Sequence, residues 1–239
     1  ELFECLISRL KPYSVKSLHL KYITLLQHHL VEMTSLTNLT SLKLSAVKIS
    51  DECSRLLCSC ISVCAHLEWL ELRCIALHDG VLQLKTMSNL TSFTLEHVTM
   101  SNECSTSLCN SISDCDHLDS LELKDIKLHD GVLKLKSLTN LTSFTLKHVT
   151  MSNECSTSLC NSINGFTHLE SLKLNLITLH DGILDLRNVI DLTSLRLSGV
   201  TMSQECSRCL CGSIGDHNQL SHLQLKDIKL HDGVLELRT

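Results

Sequence analysis

The triplet His-Asp-Gly stands at His78-Asp79-Gly80, His129-Asp130-Gly131, His180-Asp181-Gly182 and His231-Asp232-Gly233. An imidazole beside a carboxylate is the raw material of a metal site or a general acid–base pair. Four cysteine pairs accompany the triplets: Cys53/Cys58, Cys104/Cys109, Cys155/Cys160 and Cys206/Cys211. Thiolates bind soft metals or act as nucleophiles. Regularity argues against both kinds of chemistry, because each motif returns every 51 residues. A catalytic set is one distinctive constellation, whereas recurrence in register belongs to a repeating framework. With two strands per interval, successive triplets lie on the order of 10 Å apart. Two imidazoles that far apart cannot share a zinc ion, which wants Zn–N near ~2.1 Å. The triplets are therefore expected to be turns, with Asp and Gly shaping the bend. No catalytic residue, cofactor or metal is expected, and no enzyme activity.

The cysteines read as packing. Helix positions five apart lie roughly 8–9 Å apart at Cα, beyond the ~7 Å that a disulfide spans. Free Cys behaves as a small buried hydrophobe, and core thiols imply a reducing compartment. Bridges between neighbouring turns, involving Cys60, Cys64 or Cys74, are the alternative. Asn38-Leu39-Thr40, Asn89-Leu90-Thr91 and Asn140-Leu141-Thr142 are N-glycosylation sequons. The simpler account is that Asn-Leu-Thr is how these units enter their strands.

The element that places all of these is a short phrase. In Leu118-x-x-Leu121-x-Leu123-x-x-Ile126-x-Leu128, apolar residues occupy positions 1, 4, 6, 9 and 11. Nine such phrases begin at Val15, Leu39, Leu67, Leu90, Leu118, Leu141, Leu169, Leu192 and Leu220, at spacings of 24, 28, 23, 28, 23, 28, 23 and 28. Alternation points positions 4 and 6 inward and 5 and 7 outward. One strand per turn in a constant direction gives a parallel sheet and a leucine-rich solenoid. The long units return through helices capped near Ser50, Ser101, Ser152 and Ser203, each followed by an acidic residue suited to the positive helix end. The short units return through His-Asp-Gly-Val-Leu, a turn and an extended or 3-10 piece. Glu1–Arg9 reads as a helical half-unit ended by Pro12. Position 9 holds Ile or Val in every phrase, so no asparagine ladder forms and the turn must satisfy its backbone otherwise.

The 239 residues carry 21 Lys+Arg and 26 Asp+Glu, a formal charge of −5. Nucleic acid is not an expected partner, since that footprint needs a basic excess. No run approaches the ~18 apolar residues of a membrane span. Residues 1–239 are expected to form a single domain. It starts at Glu1 without Met or a signal peptide and ends without a polar cap, so it reads as a fragment of a longer chain or one whose end self-associates.

Binding is expected on the concave face, at outward positions 3, 5, 7 and 8. The candidate contacts are Trp69, Glu71, Arg73, Glu96, His97, Glu122, Lys124, Asp125, Lys147, His148, Lys173 and Arg196. His19, Lys21, Tyr22, Lys43, Asn175, Gln224, Lys226 and Asp227 fill out the row. Segments 89–112 and 140–163 differ only at Glu96/Lys147, a solvent-facing charge reversal on a repeated framework. Such a surface suits a protein, peptide or microbial ligand more than a small cofactor, which wants a deep apolar pocket.

The alternating units, helical returns and free cysteines resemble leucine-rich repeats of the ribonuclease-inhibitor kind, as in the C-terminal sensor region of NOD-like receptors. The resemblance implies an α/β leucine-rich repeat horseshoe, with the parallel sheet concave and helices alternating with short turns on the convex side. It also implies a cytoplasmic ligand- or protein-recognition domain, the sensing or autoinhibitory repeats of an innate immune receptor. The alternatives are a secreted or membrane-tethered leucine-rich repeat recognition protein, hence extracellular, and a ribonuclease-inhibitor-like binding protein.

Overall fold

The computed structural model describes residues 15–128, 133 and 135–228. Glu1–Arg9, Pro12 and the triplets at 129–131 and 231–233 lie outside the described residues. Nine parallel strands form one sheet in chain order. They are β1 (Ser17–Lys21), β2 (Ser41–Ser45), β3 (Trp69–Ala76), β4 (Ser92–Thr99), β5 (Ser120–Lys124), β6 (Ser143–Lys147), β7 (Ser171–Asn175), β8 (Ser194–Ser198) and β9 (His222–Lys226). Each begins at position 3 of its phrase. The register keeps like positions together, as in Leu195↔Leu223 and Leu195↔Leu172.

Alternation does what the phrase requires. In the fifth unit the inward Leu118, Leu121, Leu123, Ile126 and Leu128 are all buried. Each contributes about 1.5–3 kcal/mol of transfer free energy before chain entropy is counted. Neighbouring rungs supply the cover, so the core runs the length of the coil. Phe144 sits inside it, edge-on to Phe166 with ring centroids 6.3 Å apart.

Four helices return the long units: α2 (Asp51–Ser62), α3 (Asn102–Ser113), α4 (Asn153–Ile163) and α5 (Gln204–Gly215). Ser50, Ser101, Ser152 and Ser203 are their N-caps, each accepting a hydrogen bond from the backbone N–H of the first cysteine of its pair. The short returns contain 3-10 turns at Leu84–Thr86 and Leu135–Ser137. The first short unit departs from expectation. It lacks the triplet and returns through α1 (Gln27–Met33), which buries His29, Leu30 and Met33.

The cysteines and triplets explain one another. The thirteen described cysteines are free and eleven of them are buried. Cys58 of α2 and Cys104 of α3 enclose the turn at Gly80, the Cys104 thiol donating to the Gly80 carbonyl. A Cβ on Gly80 would lie 2.6 Å from Cys58 Sγ, and one on Gly182 2.6 Å from Cys160 Sγ. Glycine is therefore required by close approach of the turn to the preceding helix, and not by an unusual bend. The Thr of Asn-Leu-Thr also has a framework use: Thr40, Thr91 and Thr142 donate to the carbonyls of Lys16, Glu68 and Asp119 in the rung before.

Position 8 is expected on the outward row with positions 5 and 7. Instead it forms a left-handed corner in all nine units, at Tyr22, Ala46, Cys74, His97, Asp125, His148, Leu176, Gly199 and Asp227, with φ between 50° and 60°. A left-handed residue with a Cβ costs about 1–2 kcal/mol. A ladder offsets this, in which the position-8 N–H donates to the position-7 carbonyl of the next rung. Examples are Ala46 to Arg73, His148 to Asn175 and Leu176 to Ser198.

Backbone bonds also serve the turn after position 9. Thr24 bridges Lys48, β3 and β4 stay paired through Ala76↔Thr99, Lys127–Leu128 pairs with Thr150–Met151, and Thr178–Leu179 pairs with Thr201–Met202. These join rungs one and two, three and four, five and six, seven and eight. At the seams after rungs four and six, helices α3 and α4 pack against the next turn instead.

Candidate functional site

The concave face is made by strand positions 3, 5 and 7 and rimmed by the left-handed corners. On β3 and β4 a charge network crosses the sheet. Lys43 Nζ lies 3.4 Å from Glu71, Glu71 lies 2.7 Å from Arg73 Nε, and Arg73 reaches Glu96 at 3.4 Å. Glu71 is buried beneath these two cations. It was expected as a contact residue and serves instead as their anchor. Trp69 is 42% exposed, and Lys43 Nζ stands 4.8 Å from its ring centroid, a cation–π contact. Its ring is thus both a support for a neighbour and an accessible apolar surface.

The middle of the face holds a second group. Lys124 pairs with Glu122 at 2.7 Å. Asp125, at the corner of β5, receives His148 Nδ1 at 2.7 Å from one neighbouring rung and His97 Nε2 at 3.6 Å from the other. The two imidazoles flank one carboxylate, so the trio is a bridge across three rungs and not a chelate. Among the described residues no group of three His, Cys, Asp or Glu is arranged to hold a metal ion. Of the two described triplet histidines, His78 faces Asp51 at 3.1 Å and His180 donates its backbone N–H to Ser156 Oγ; they do not converge.

The hydrogen bond to His148, aided by the charges of His97 and Lys147, holds the Asp125 carboxyl below its usual range. A depressed carboxylate contributes stability that is present above its unfolded value, about 3.9, and lost as pH falls through the lower folded value. Asp125→Asn is therefore expected to flatten the acid side of a stability–pH curve below about pH 4, by under about 1 kcal/mol because the bridge faces solvent. Melting temperatures at neutral pH and at about pH 3 check this. An equal acid-induced drop in both proteins would refute it.

Beyond β6 the face changes character. Lys147, Lys173 and Arg196 project from β6, β7 and β8, joined by Lys226 on β9. Lys173, Asn175, Arg196, Ser198, Gln224 and Lys226 line a depression of about 250 Å³. The sequence row contains these cations, but their isolation depends on which carboxylates the neighbouring strands bring alongside.

No protein-family model matches the sequence, and no curated protein matches it significantly. Solved structures do. A leucine-rich repeat protein of Leptospira interrogans superposes over 95% of this chain and 58% of its own, at 18% identity and TM-score 0.55. A plant ice-binding protein superposes over 90% of this chain and 65% of its own, at 14% identity and TM-score 0.52. An internalin of Listeria monocytogenes aligns more loosely, over 95% and 74% at 18% identity, with TM-score 0.44. The chain thus spans less than two thirds of the Leptospira and plant proteins. The likenesses to the Leptospira and plant proteins concern the fold, an α/β leucine-rich repeat solenoid.

Proposed function

We propose that the chain is a non-catalytic recognition domain that holds a protein or peptide ligand on its concave face. The observation that carries this is a charge reversal at one outward position of two otherwise identical segments. Residues 89–112 and 140–163 are the same but for Glu96 and Lys147, which occupy the same outward position on β4 and β6. Exposed and buried positions alike are otherwise copied, so the one change, a charge reversal on the outward face of the sheet, alters what the surface presents without altering the framework.

The reading extends to the sensing or autoinhibitory repeats of a NOD-like immune receptor working in the cytoplasm. Unpaired, buried thiols support that setting, since they persist where glutathione keeps cysteines reduced. Among the described residues no helix is long and apolar enough to cross a membrane.

Photo-crosslinking tests the recognition reading. A benzophenone side chain placed at Trp69 on the concave face should yield discrete adducts in cells expressing the chain, and one at Thr106 on α3 should yield few. Adding Glu96→Lys to the Trp69 probe should reduce the adducts severalfold while lowering the melting temperature by no more than about 5 °C, as expected of losing one partly exposed ion pair. Equal labelling from both faces, or labelling indifferent to Glu96→Lys, overturns the concave site.

A further inference from the structure

The concave face is electrostatically divided. Every charged residue at positions 5 and 7 of β2 to β5 has an ion partner: Lys43 with Glu71, Arg73 with Glu71 and Glu96, and Lys124 with Glu122. From β7 to β9 the same positions hold Lys173, Asn175, Arg196, Ser198, Gln224 and Lys226, with no carboxylate among them. None of the ion pairs among the described residues involves Lys173, Arg196 or Lys226. The register sets Lys173 directly opposite Arg196 on the adjacent strand. Like charges in that relation are destabilising, and no carboxylate among the described residues pairs with either of them. Asp227, exposed at the corner of β9, stands outside the depression that these residues line.

We propose that this end of the concave face is an anion-recognition site for an acidic polypeptide segment. The proposal rests on the reading of the concave face as a recognition surface and names the chemistry of its partner. The cations occupy four successive strands, Lys173 on β7 and Arg196 on β8 side by side at the centre, with Lys147 on β6 and Lys226 on β9 two residues further along their own strands. At ~4.8 Å per strand they span about 14 Å, the length of four to five residues of extended chain. Successive carboxylate or phosphate groups of such a segment can meet successive cations. Arg196 supplies a planar fork suited to either anion. The amides of Asn175 and Gln224, with the Ser198 hydroxyl, supply neutral donors between them. A net charge of −5 over the whole chain makes this a local site on an otherwise anionic molecule, which favours a short acidic strand over a long polyanion.

Fluorescence anisotropy with three labelled probes tests it: octaglutamate, a peptide alternating phosphoserine and glutamate, and a single-stranded oligothymidylate. At least one acidic peptide should bind at low salt. Its affinity should fall tenfold or more in Lys173→Gln/Arg196→Gln, with the melting temperature unchanged or raised. Tighter binding of the phosphopeptide, competed by inorganic phosphate, identifies phosphate as the group held; equal binding identifies carboxylate. The inference is overturned if neither peptide binds, if binding survives the double substitution, or if the oligothymidylate binds as tightly through the same residues. Should the acidic peptides fail while crosslinks at Trp69 persist, only this inference falls. Should both fail, the recognition reading falls with it.

Discussion

Raising the pH from about 8 to about 10.5 is expected to unfold the protein, because its core is stocked with thiols that ionise only once exposed. Burial pushes Cys58, Cys109, Cys115 and Cys160 up to about 12, and Cys60, Cys64 and Cys104 up to about 11, from an ordinary value of 9.0. Neighbouring thiols add to the effect at Cys58, Cys64, Cys109 and Cys160. An acid whose folded pKa is raised contributes stability that is intact below its unfolded pKa and lost as pH rises towards the folded one. At pH 10 each such thiol favours the unfolded chain by about 1.4 kcal/mol. Seven together amount to on the order of 10 kcal/mol, comparable with the whole net stability of a typical domain. Urea titrations followed by circular dichroism at several alkaline pH values would show it. The decisive reading is the slope of stability against pH, which Cys109→Ala/Cys160→Ala should reduce by about two protons' worth whatever that pair does to stability at neutrality. A slope unchanged by that substitution, or a fold intact above about pH 11, would remove the thiols as its cause.

The second large effect is a pair of opposite sign at one kind of residue. Gly182→Ala is expected to cost about 1–3 kcal/mol, since an added methyl would overpack a filled site. The methyl would stand 2.6 Å from Cys160 Sγ and 3.0 Å from the Ser156 carbonyl, which belongs to a helix backbone and cannot retreat. Gly212→Ala, on α5, meets nothing within 4 Å and should gain about 0.5–1 kcal/mol by restricting the unfolded chain. Combining Gly182→Ala with Cys160→Ala should recover part of the loss, because the two sites share one space. Equilibrium urea denaturation measures all four proteins. Equal effects at Gly182 and Gly212 would show that the turn is not clamped as described.

What was legible in the sequence was what each rung settles by itself. Alternating Leu and polar residues determine which side chains face inward, and the Ser-Asn/Asp/Gln-Glu run before each cysteine pair marks a helix start, so strands and caps fell where expected. The left-handed corner was not legible, because its usual sign is glycine and only Gly199 carries it. Tyr22, Ala46 and Leu176 adopt it because their backbone N–H groups donate to a carbonyl of the next rung and are held there. Helix α1 was missed for want of a Ser cap; its N-cap is Leu26, with no side-chain oxygen to offer. The burial of Glu71 depends on Lys43 from one strand and Arg73 from its own closing over it, which is a fact of assembly. The candidate contact row itself was readable by parity alone, whereas its division into a neutralised half and a bare cationic half emerges only when neighbours are brought alongside.

The turn bonds that tie rungs in twos make the length of this coil quantised. Excising or duplicating 51 residues preserves the order of joints with and without such a turn bond, and the near-identity of residues 89–112 and 140–163 supplies splice points that change few side-chain neighbours. Losing one rung would press two units of the same kind together, a joint with no counterpart elsewhere in the array. The inventory of lengths open to such a chain therefore advances by couples, and so does the span of surface it can offer.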